Sequence, residues 1–102
     1  MSTPAARAHY HCLPRQRDLY YGGAWHAPHG GYAPTFNPAN QDELGQVAVA
    51  DSHDVASAVA AAEQAFKSWR DVKPVERAIA MRALAQRVRA CADEFAMIDA
   101  IN

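Results

Sequence analysis

The sequence predicts an α/β fold: an N-terminal hairpin and strand region, followed by two or three α-helices. Two observations carry this prediction. Glycine pairs separate short extended runs between residues 18 and 50, and such pairs favour the tight turns of hairpins. From Asp51 onward, apolar residues recur every three or four positions, which is the period of an amphipathic helix. We therefore expect strands within about 19–50 and helices over about 52–69 and 74–101.

The strand region opens with a predicted hairpin. Residues 19–21 and 24–26 flank Gly22 and Gly23, and glycine adopts the positive φ that a two-residue hairpin turn requires. A second glycine pair at 30–31 predicts another turn.

Two further extended runs follow, at 33–37 and 44–50. In the second run Leu44, Val47 and Val49 are apolar but do not alternate regularly. We therefore predict a strand that is only partly buried.

The first helix begins with a capping signal. Asp51 is suited to accept hydrogen bonds from free N–H groups of the first turn, and Asp54 lies at the spacing of a capping box. One apolar stripe runs down the predicted helix, formed by Val55, Val59, Ala62, Phe66 and Trp69.

The second helix is predicted to begin at Pro74, because proline is favoured in the first turn, where its missing N–H costs nothing. Its apolar stripe comprises Met81, Leu84, Val88 and Cys91. We expect Asp93 to cap a further turn or two that carries Phe95, Ile98 and Ile101. The sequence reaches Asn102 within this apolar pattern, without a stop signal, so we expect a fragment truncated at its C-terminal end.

Composition excludes several classes of protein. The 102 residues suffice for one small domain, half of them are hydrophobic, and the formal net charge is −1. This balance excludes a disordered tail, a collagen-like repeat and a disulfide scaffold, and it gives no electrostatic reason to expect nucleic acid or a membrane surface as partner.

Residues 1–17 show no period and are predicted to form a mobile arm. Two distant cysteines and no membrane-spanning or secretory signal lead us to expect a cytoplasmic protein.

The side chains that could carry chemistry have simpler explanations. Cys91 lies on the apolar stripe, so we expect a small buried hydrophobic residue. Cys12 lies in the arm, without catalytic context. His9, His11 and Cys12 are zinc-ligand types, but a structural zinc site needs four ligands held by a fold. We therefore expect a polar arm there.

Several segments in order resemble one known family. They are the hairpin at 19–25, Phe36-Asn37-Pro38-Ala39, Leu44-Gly45-Gln46-Val47, the first-helix pattern from Asp54 to Trp69, and Pro74, Arg77, Leu84-Ala85 and Asp93-Glu94-Phe95. Together they are similar to the N-terminal segment of the NAD(P)-dependent aldehyde dehydrogenase superfamily. The resemblance runs from about Asp18 to Asn102, so 18–102 is expected to be the N-terminal part of such a domain.

The resemblance implies an enzyme that oxidises an aldehyde to a carboxylic acid with NAD or NADP through a cysteine thiohemiacetal. In the family the nucleophile, the base and the cofactor-binding turn lie downstream of this segment. We therefore expect no catalytic and no cofactor-binding residue here, and no activity or bound cofactor for the chain alone. Family members are usually homodimers or homotetramers.

The chain departs from the family pattern at several positions. Asn40-Gln41 replaces a Thr-Gly turn, and we expect Asn40 to compensate partly, because asparagine tolerates the left-handed region. Glu43 suggests an exposed strand start, and Lys73 replaces a helix-capping Thr or Ser.

The resemblance also implies a possible metal site. Some family members bind a monovalent cation at positions that correspond to Thr35, Phe36 and Asn102. In this chain Asn102 stands in place of a carboxylate, which weakens the expected affinity.

Two alternatives from other functional classes remain open, and the less favoured of them is a small metal- or nucleic-acid-binding protein. The two amphipathic helices and the hairpin could form a stand-alone helical interaction module without enzymatic activity, which binds a partner protein through its apolar stripes.

Overall fold

The computed structural model describes residues 10–102. Four strands precede three helices along the chain. The strands are β1 (Leu19–Tyr21), β2 (Ala24–His26), β3 (Tyr32–Phe36) and β4 (Glu43–Ala48), and the helices are α1 (Ser52–Trp69), α2 (Pro74–Ala90) and α3 (Ala92–Ile101). This arrangement confirms the predicted α/β fold.

The predicted hairpin is confirmed. β1 and β2 pair antiparallel with Tyr21 opposite Ala24, so Gly22 and Gly23 form a two-residue turn. Their φ angles are 61° and 78°, a conformation that costs glycine little and other residues considerably more. The rings of Tyr20 and Trp25 pack edge to face across the pair, with their centroids 4.9 Å apart.

The irregular apolar pattern of the fourth strand has a structural cause. β3 and β4 pair antiparallel, but the register shifts between Thr35, opposite Gly45, and Phe36, opposite Glu43. Leu44 is therefore the extra residue of a bulge, and its side chain is only 4% exposed. Because the bulge inserts a residue, strict alternation along β4 fails.

The turn between β3 and β4 corrects one expectation. The residue in the left-handed region is Gln41, with φ of 65°, and not Asn40. The Asn40 side chain instead accepts a hydrogen bond from the Asp42 N–H at 3.0 Å. Asn40 thus stabilises the turn through its side chain. The left-handed conformation is adopted by Gln41, which stands where the family pattern has glycine.

The helix starts follow the sequence signals in two cases and not in the third. Asp51 and Asp54 form the predicted capping box of α1. Pro74 opens α2, and Lys73 before it makes no side-chain capping bond. The third helix begins at Ala92 with Cys91 as its N-cap, so the predicted cap at Asp93 is wrong. Asp93 instead lies in the first turn, where a negative charge is favourable.

The described residues contain little buried apolar surface. Among residues 10–102 the buried hydrophobic side chains are Leu44 and Ile101. The predicted stripes of α1 and α2 are largely exposed, at 45–61% for Val55, Val59, Phe66, Trp69, Met81, Leu84 and Val88. The radius of gyration is 17.3 Å, whereas a compact domain of this length has about 13 Å. The helices therefore extend from the strand region without closing a core over their stripes.

Cys91 shares this exposure, so the expectation that it is buried is wrong for this chain. It lies where α2 ends and α3 begins, and its backbone N–H bonds to carbonyls of the last turn of α2. The stripe to which it belongs is not covered by the part of the chain that the structure describes.

No helix within residues 10–102 combines the length and the apolarity needed to cross a membrane.

Candidate functional site

The segment before β1 is fixed to the second strand pair. The Tyr10 hydroxyl donates to an Asp42 carboxylate oxygen at 2.8 Å and accepts from the Asn37 side-chain amide at 3.2 Å. The Arg17 guanidinium donates to the Leu44 carbonyl. Residues 10–17 of the predicted arm thus contact the sheet, while residues 1–9 lie outside the described residues.

Arg17 also explains why position 45 is glycine. Gly45 has φ of 105°, and a Cβ built there would lie 2.5 Å from Arg17 Nη1. The backbone conformation therefore favours glycine, and a side chain at position 45 would also displace the Arg17 guanidinium from its place beside the Leu44 carbonyl.

A small cavity brings together two of the three residues of the predicted cation site. Its volume is about 210 Å³, and Thr35 and Asn102 line it together with Arg17, Leu44 and Ile98. Phe36 is about half exposed and does not line this cavity. Because Arg17 places a positive charge beside the space, the cavity is electrostatically unfavourable for a cation. The Thr35, Phe36 and Asn102 site remains a prediction.

The most highly organised polar group lies where the β2–β3 loop meets the start of α1. The Asp54 carboxylate accepts from the backbone N–H groups of His29 at 2.9 and 3.0 Å, Gly30 at 3.2 Å and Asp51 at 3.0 Å. The side chain is 5% exposed. It therefore fixes the loop to the helix through bonds that span 24 and 25 positions of sequence.

Gly30 is required by this contact. A Cβ at Gly30 would collide with the Val49 carbonyl oxygen. A larger residue would therefore push the loop away from the Asp54 carboxylate.

The protonation of Asp54 reflects two opposing effects. Burial raises the pKa of the carboxyl, but the backbone N–H donors of Asp51, His29 and Gly30 stabilise the charged form and bring the net pKa below its usual value of 3.8. The carboxylate is therefore charged at neutral pH, and three N–H donors surround it.

A second carboxylate in the same place contacts a histidine. Asp51 Oδ1 accepts from the Asp54 N–H at 2.9 Å, which leaves Oδ2 to contact His29 Nδ1. The hydrogen bond from His29 lowers the pKa of Asp51 to about 2, and the same contact raises the pKa of His29 above 6.5. The His53 ring lies beside the His29 ring, with centroids 4.9 Å apart.

An apolar cleft separates the first hairpin from α1. Its volume is about 350 Å³, and it is lined by β1 residues together with Ala50 and one face of α1 that includes Val55, Val59 and Ala62. The N-terminal half of the α1 stripe thus faces the hairpin across the cleft, but Val55 and Val59 there are as exposed as Phe66 and Trp69 in the C-terminal half.

The residues present do not fit a dinucleotide site of the strand–glycine turn–helix type. All five glycines precede Asp51, and residues 49–51, which connect β4 to α1, contain none. Both strand pairs in the described region are antiparallel. We therefore derive no step that involves a nicotinamide cofactor from these residues.

Comparison with known proteins matches this order of elements to one family. The profile described as "Aldehyde dehydrogenase family" matches residues 25–102. The chain belongs to the aldehyde dehydrogenase family. The match begins within β2 and extends past the end of α3, so the capping box and the start of α2 at Pro74 both lie within the family segment.

Individual aldehyde dehydrogenases agree with this assignment. Aldehyde dehydrogenase tropH of Talaromyces stipitatus is 37% identical over 88% of this chain and 18% of its own length. Aminoaldehyde dehydrogenase 2 of Zea mays is 33% identical over 88% of the chain and 19% of its own length. Benzaldehyde dehydrogenase [NAD(+)] of Pseudomonas putida is 35% identical over 80% of the chain and 18% of its own length. The chain thus spans about a fifth of these relatives, and no solved structure matches it significantly.

Sequence reasoning missed the groups that organise this family segment most strongly. The capping role of Asp54 was predicted, but its bonds to His29 and Gly30 were not, and neither was the pairing of His29 with Asp51. The sequence shows the acidic pair Asp51 and Asp54 about 20 residues after the glycine turn at 30–31. This spacing does not reveal that the carboxylates contact the loop that contains His29.

Proposed function

We propose that this chain is the N-terminal part of an NAD(P)-dependent aldehyde dehydrogenase that oxidises an aldehyde to a carboxylic acid. The observation that carries the proposal is the family match over residues 25–102. Strands, capping box and helices in the structure follow the same order as the segments that resemble the family.

The proposed chemistry is attack by a cysteine thiolate on the aldehyde, hydride transfer from the thiohemiacetal to NAD(P)+, and hydrolysis of the acyl-enzyme. Neither cysteine of this chain is proposed as the nucleophile. Cys12 is half-buried in the segment before β1, and Cys91 is an exposed residue between two helices. Within residues 10–102 the hydrogen bonds of Cys91 are made by its backbone, to carbonyls of α2 and from the N–H of Phe95.

The contribution of these residues is therefore proposed to be a framework. The exposed stripes of α1 and α2 present apolar side chains at 45–61% exposure, and such surfaces are suited to packing against further protein. In this proposal the remaining parts of the enzyme cover the stripes and supply the nucleophile, the base and the dinucleotide site.

The substrate is proposed only as a chemical class. The relatives are named for different compounds, among them benzaldehyde, aminoaldehydes and betaine aldehyde. Their shared feature is the aldehyde group, and the proposal extends no further than that group.

Two measurements test the proposal. The coding sequence after codon 102 should continue in frame into a glycine-rich dinucleotide turn and a later cysteine, and the longer product should reduce NAD(P)+ with aldehydes. The 102-residue chain alone should form no NAD(P)H with the same aldehydes. Turnover by this chain that Cys91→Ser abolishes would contradict the assignment of the catalytic groups.

The exposed stripes of α1 and α2 are also compatible with a second function, a stand-alone helical interaction module. In that case a separate partner protein, and not the rest of an enzyme, would pack against them. A stop codon directly after residue 102, together with a stable monomer, would favour the module over the enzyme.

A further inference from the structure

Three metal-ligating side chains converge where the β2–β3 loop meets the start of α1. They are His29, Asp51 and His53, and each offers a ligand atom within 4.8 Å of the others. His29 belongs to the loop, whereas Asp51 and His53 lie at the start of α1. The cluster therefore joins two segments that are about 22 positions apart in sequence.

The geometry points to a Zn²⁺ site formed by His29, Asp51 and His53. Imidazole nitrogen and carboxylate oxygen are ligands that Zn²⁺ takes at about 2.0–2.2 Å. Ligand atoms that share one ion therefore lie about 3–4 Å apart. The ligand atoms lie within 4.8 Å of one another and both histidines are exposed, so binding of one ion requires the two rings to turn inward.

The surroundings hold two of the three ligands in position. The Asp54 carboxylate binds the backbone N–H of His29, which fixes the point from which that imidazole extends. Asp51 uses Oδ1 for the helix cap and directs Oδ2 toward His29 Nδ1. Hydrogen bonds that orient the ligands are a regular feature of protein metal sites.

The charge balance also favours a cation. The start of a helix carries a partial positive charge of roughly half a unit, and this charge by itself repels a metal ion. At the start of α1 the carboxylates of Asp51 and Asp54 contribute two negative charges, which outweigh the partial positive charge. Zn²⁺ takes the place of the proton that His29 Nδ1 shares with Asp51, and the side of the cluster that is open to solvent leaves room for water as a further ligand.

The test is a Zn²⁺ titration of the 102-residue chain against a competing chelator, followed by NMR of the histidine rings. We expect saturation at one ion per chain, with shifts in the ring signals of His29 and His53. His53→Gln should lower the affinity about tenfold or more. Asp51→Asn should do the same while keeping α1 intact, because asparagine is an equally good N-cap.

A matched control addresses the other zinc-ligand types in the chain. His11→Gln, near Cys12, should leave the affinity unchanged, and circular dichroism should show the same helix content in all variants. The proposal is overturned if Zn²⁺ does not saturate, if His53→Gln has no effect, or if His11→Gln weakens binding as much as His53→Gln does.

Discussion

At the scale of single residues, Asp54 does more than a capping residue requires. Its carboxylate accepts from three backbone N–H groups, two of them in the loop before β3. A neutral side chain would leave these donors weakly bonded or unpaired, and hydrogen bonds to charged groups are the stronger ones.

We therefore expect Asp54→Asn to loosen the loop. Amide hydrogen exchange at His29 and Gly30 should become about tenfold faster, because each lost charged bond removes protection against local opening. Asp71→Asn is the matched control, since Asp71 is an exposed carboxylate on another turn, and it should leave these two amides unchanged.

The same loop should respond to acid in a defined direction. Because the folded pKa of Asp54 lies below 3.8, its stabilising effect is complete above that value and is lost as the pH falls through the lower folded pKa. Protection of the His29 and Gly30 amides that is already lost well above pH 3.8 would show that the carboxylate does not hold the loop.

Gln41 has a left-handed backbone conformation that glycine adopts more easily than glutamine. Its φ of 65° costs an L-residue about 1–2 kcal/mol. Gln41→Gly should therefore stabilise the β3–β4 pair by about 1 kcal/mol, visible as roughly fivefold slower amide exchange across the two strands.

The neighbouring position provides the control for Gln41. Asn40→Gly removes the side-chain bond to the Asp42 N–H and relieves no left-handed conformation. It should not slow exchange. Equal stabilisation by both changes would mean that the strain does not lie at Gln41.

At the scale of elements, local signals predicted the hairpin and the starts of α1 and α2, but not the start of α3. Gly22-Gly23, Asp51 and Pro74 act within a few residues of themselves, so the sequence reveals them. The Leu44 bulge, the left-handed Gln41 and the approach of His29 to Asp51 depend on partners across the sheet or more than 20 positions away. Periodicity and spacing contain no information about such contacts, and the candidate cluster was therefore invisible in the sequence.

The start of α2 lacks a side-chain cap, as does the start of α3. Lys73 has the backbone of an N-cap but makes no side-chain capping bond. Lys73→Ser should stabilise α2 by about 0.5–1 kcal/mol, because serine accepts from a free N–H of the first turn. The measurement is a rise in helix content by far-ultraviolet circular dichroism.

A lysine within a helix supplies the comparison for Lys73. Lys67 lies in the last turn of α1, where serine is a poorer helix former and removes a charge that is favourable there. Lys67→Ser should lower helix content slightly. A rise with Lys67→Ser as large as that with Lys73→Ser would exclude capping as the cause.

At the scale of the whole molecule, the chain forms the elements of a family segment without enclosing their apolar surface. The 17.3 Å radius of gyration and the exposed stripes of α1 and α2 have the same cause, since the helices extend away from the strands. Leu44 and Ile101 provide little buried apolar area, and burial of such area is the main source of folding stability.

The most direct test of this account is thermal melting by circular dichroism at several protein concentrations, combined with sedimentation velocity. We expect a partly helical chain that melts over a broad temperature range and self-associates through the stripes of α1 and α2. The double variant Phe66→Gln, Leu84→Gln should reduce this self-association, whereas the control Lys67→Gln should not. A sharp transition that is independent of concentration, from a monomer, would contradict the account, because it would require a closed core within these 102 residues.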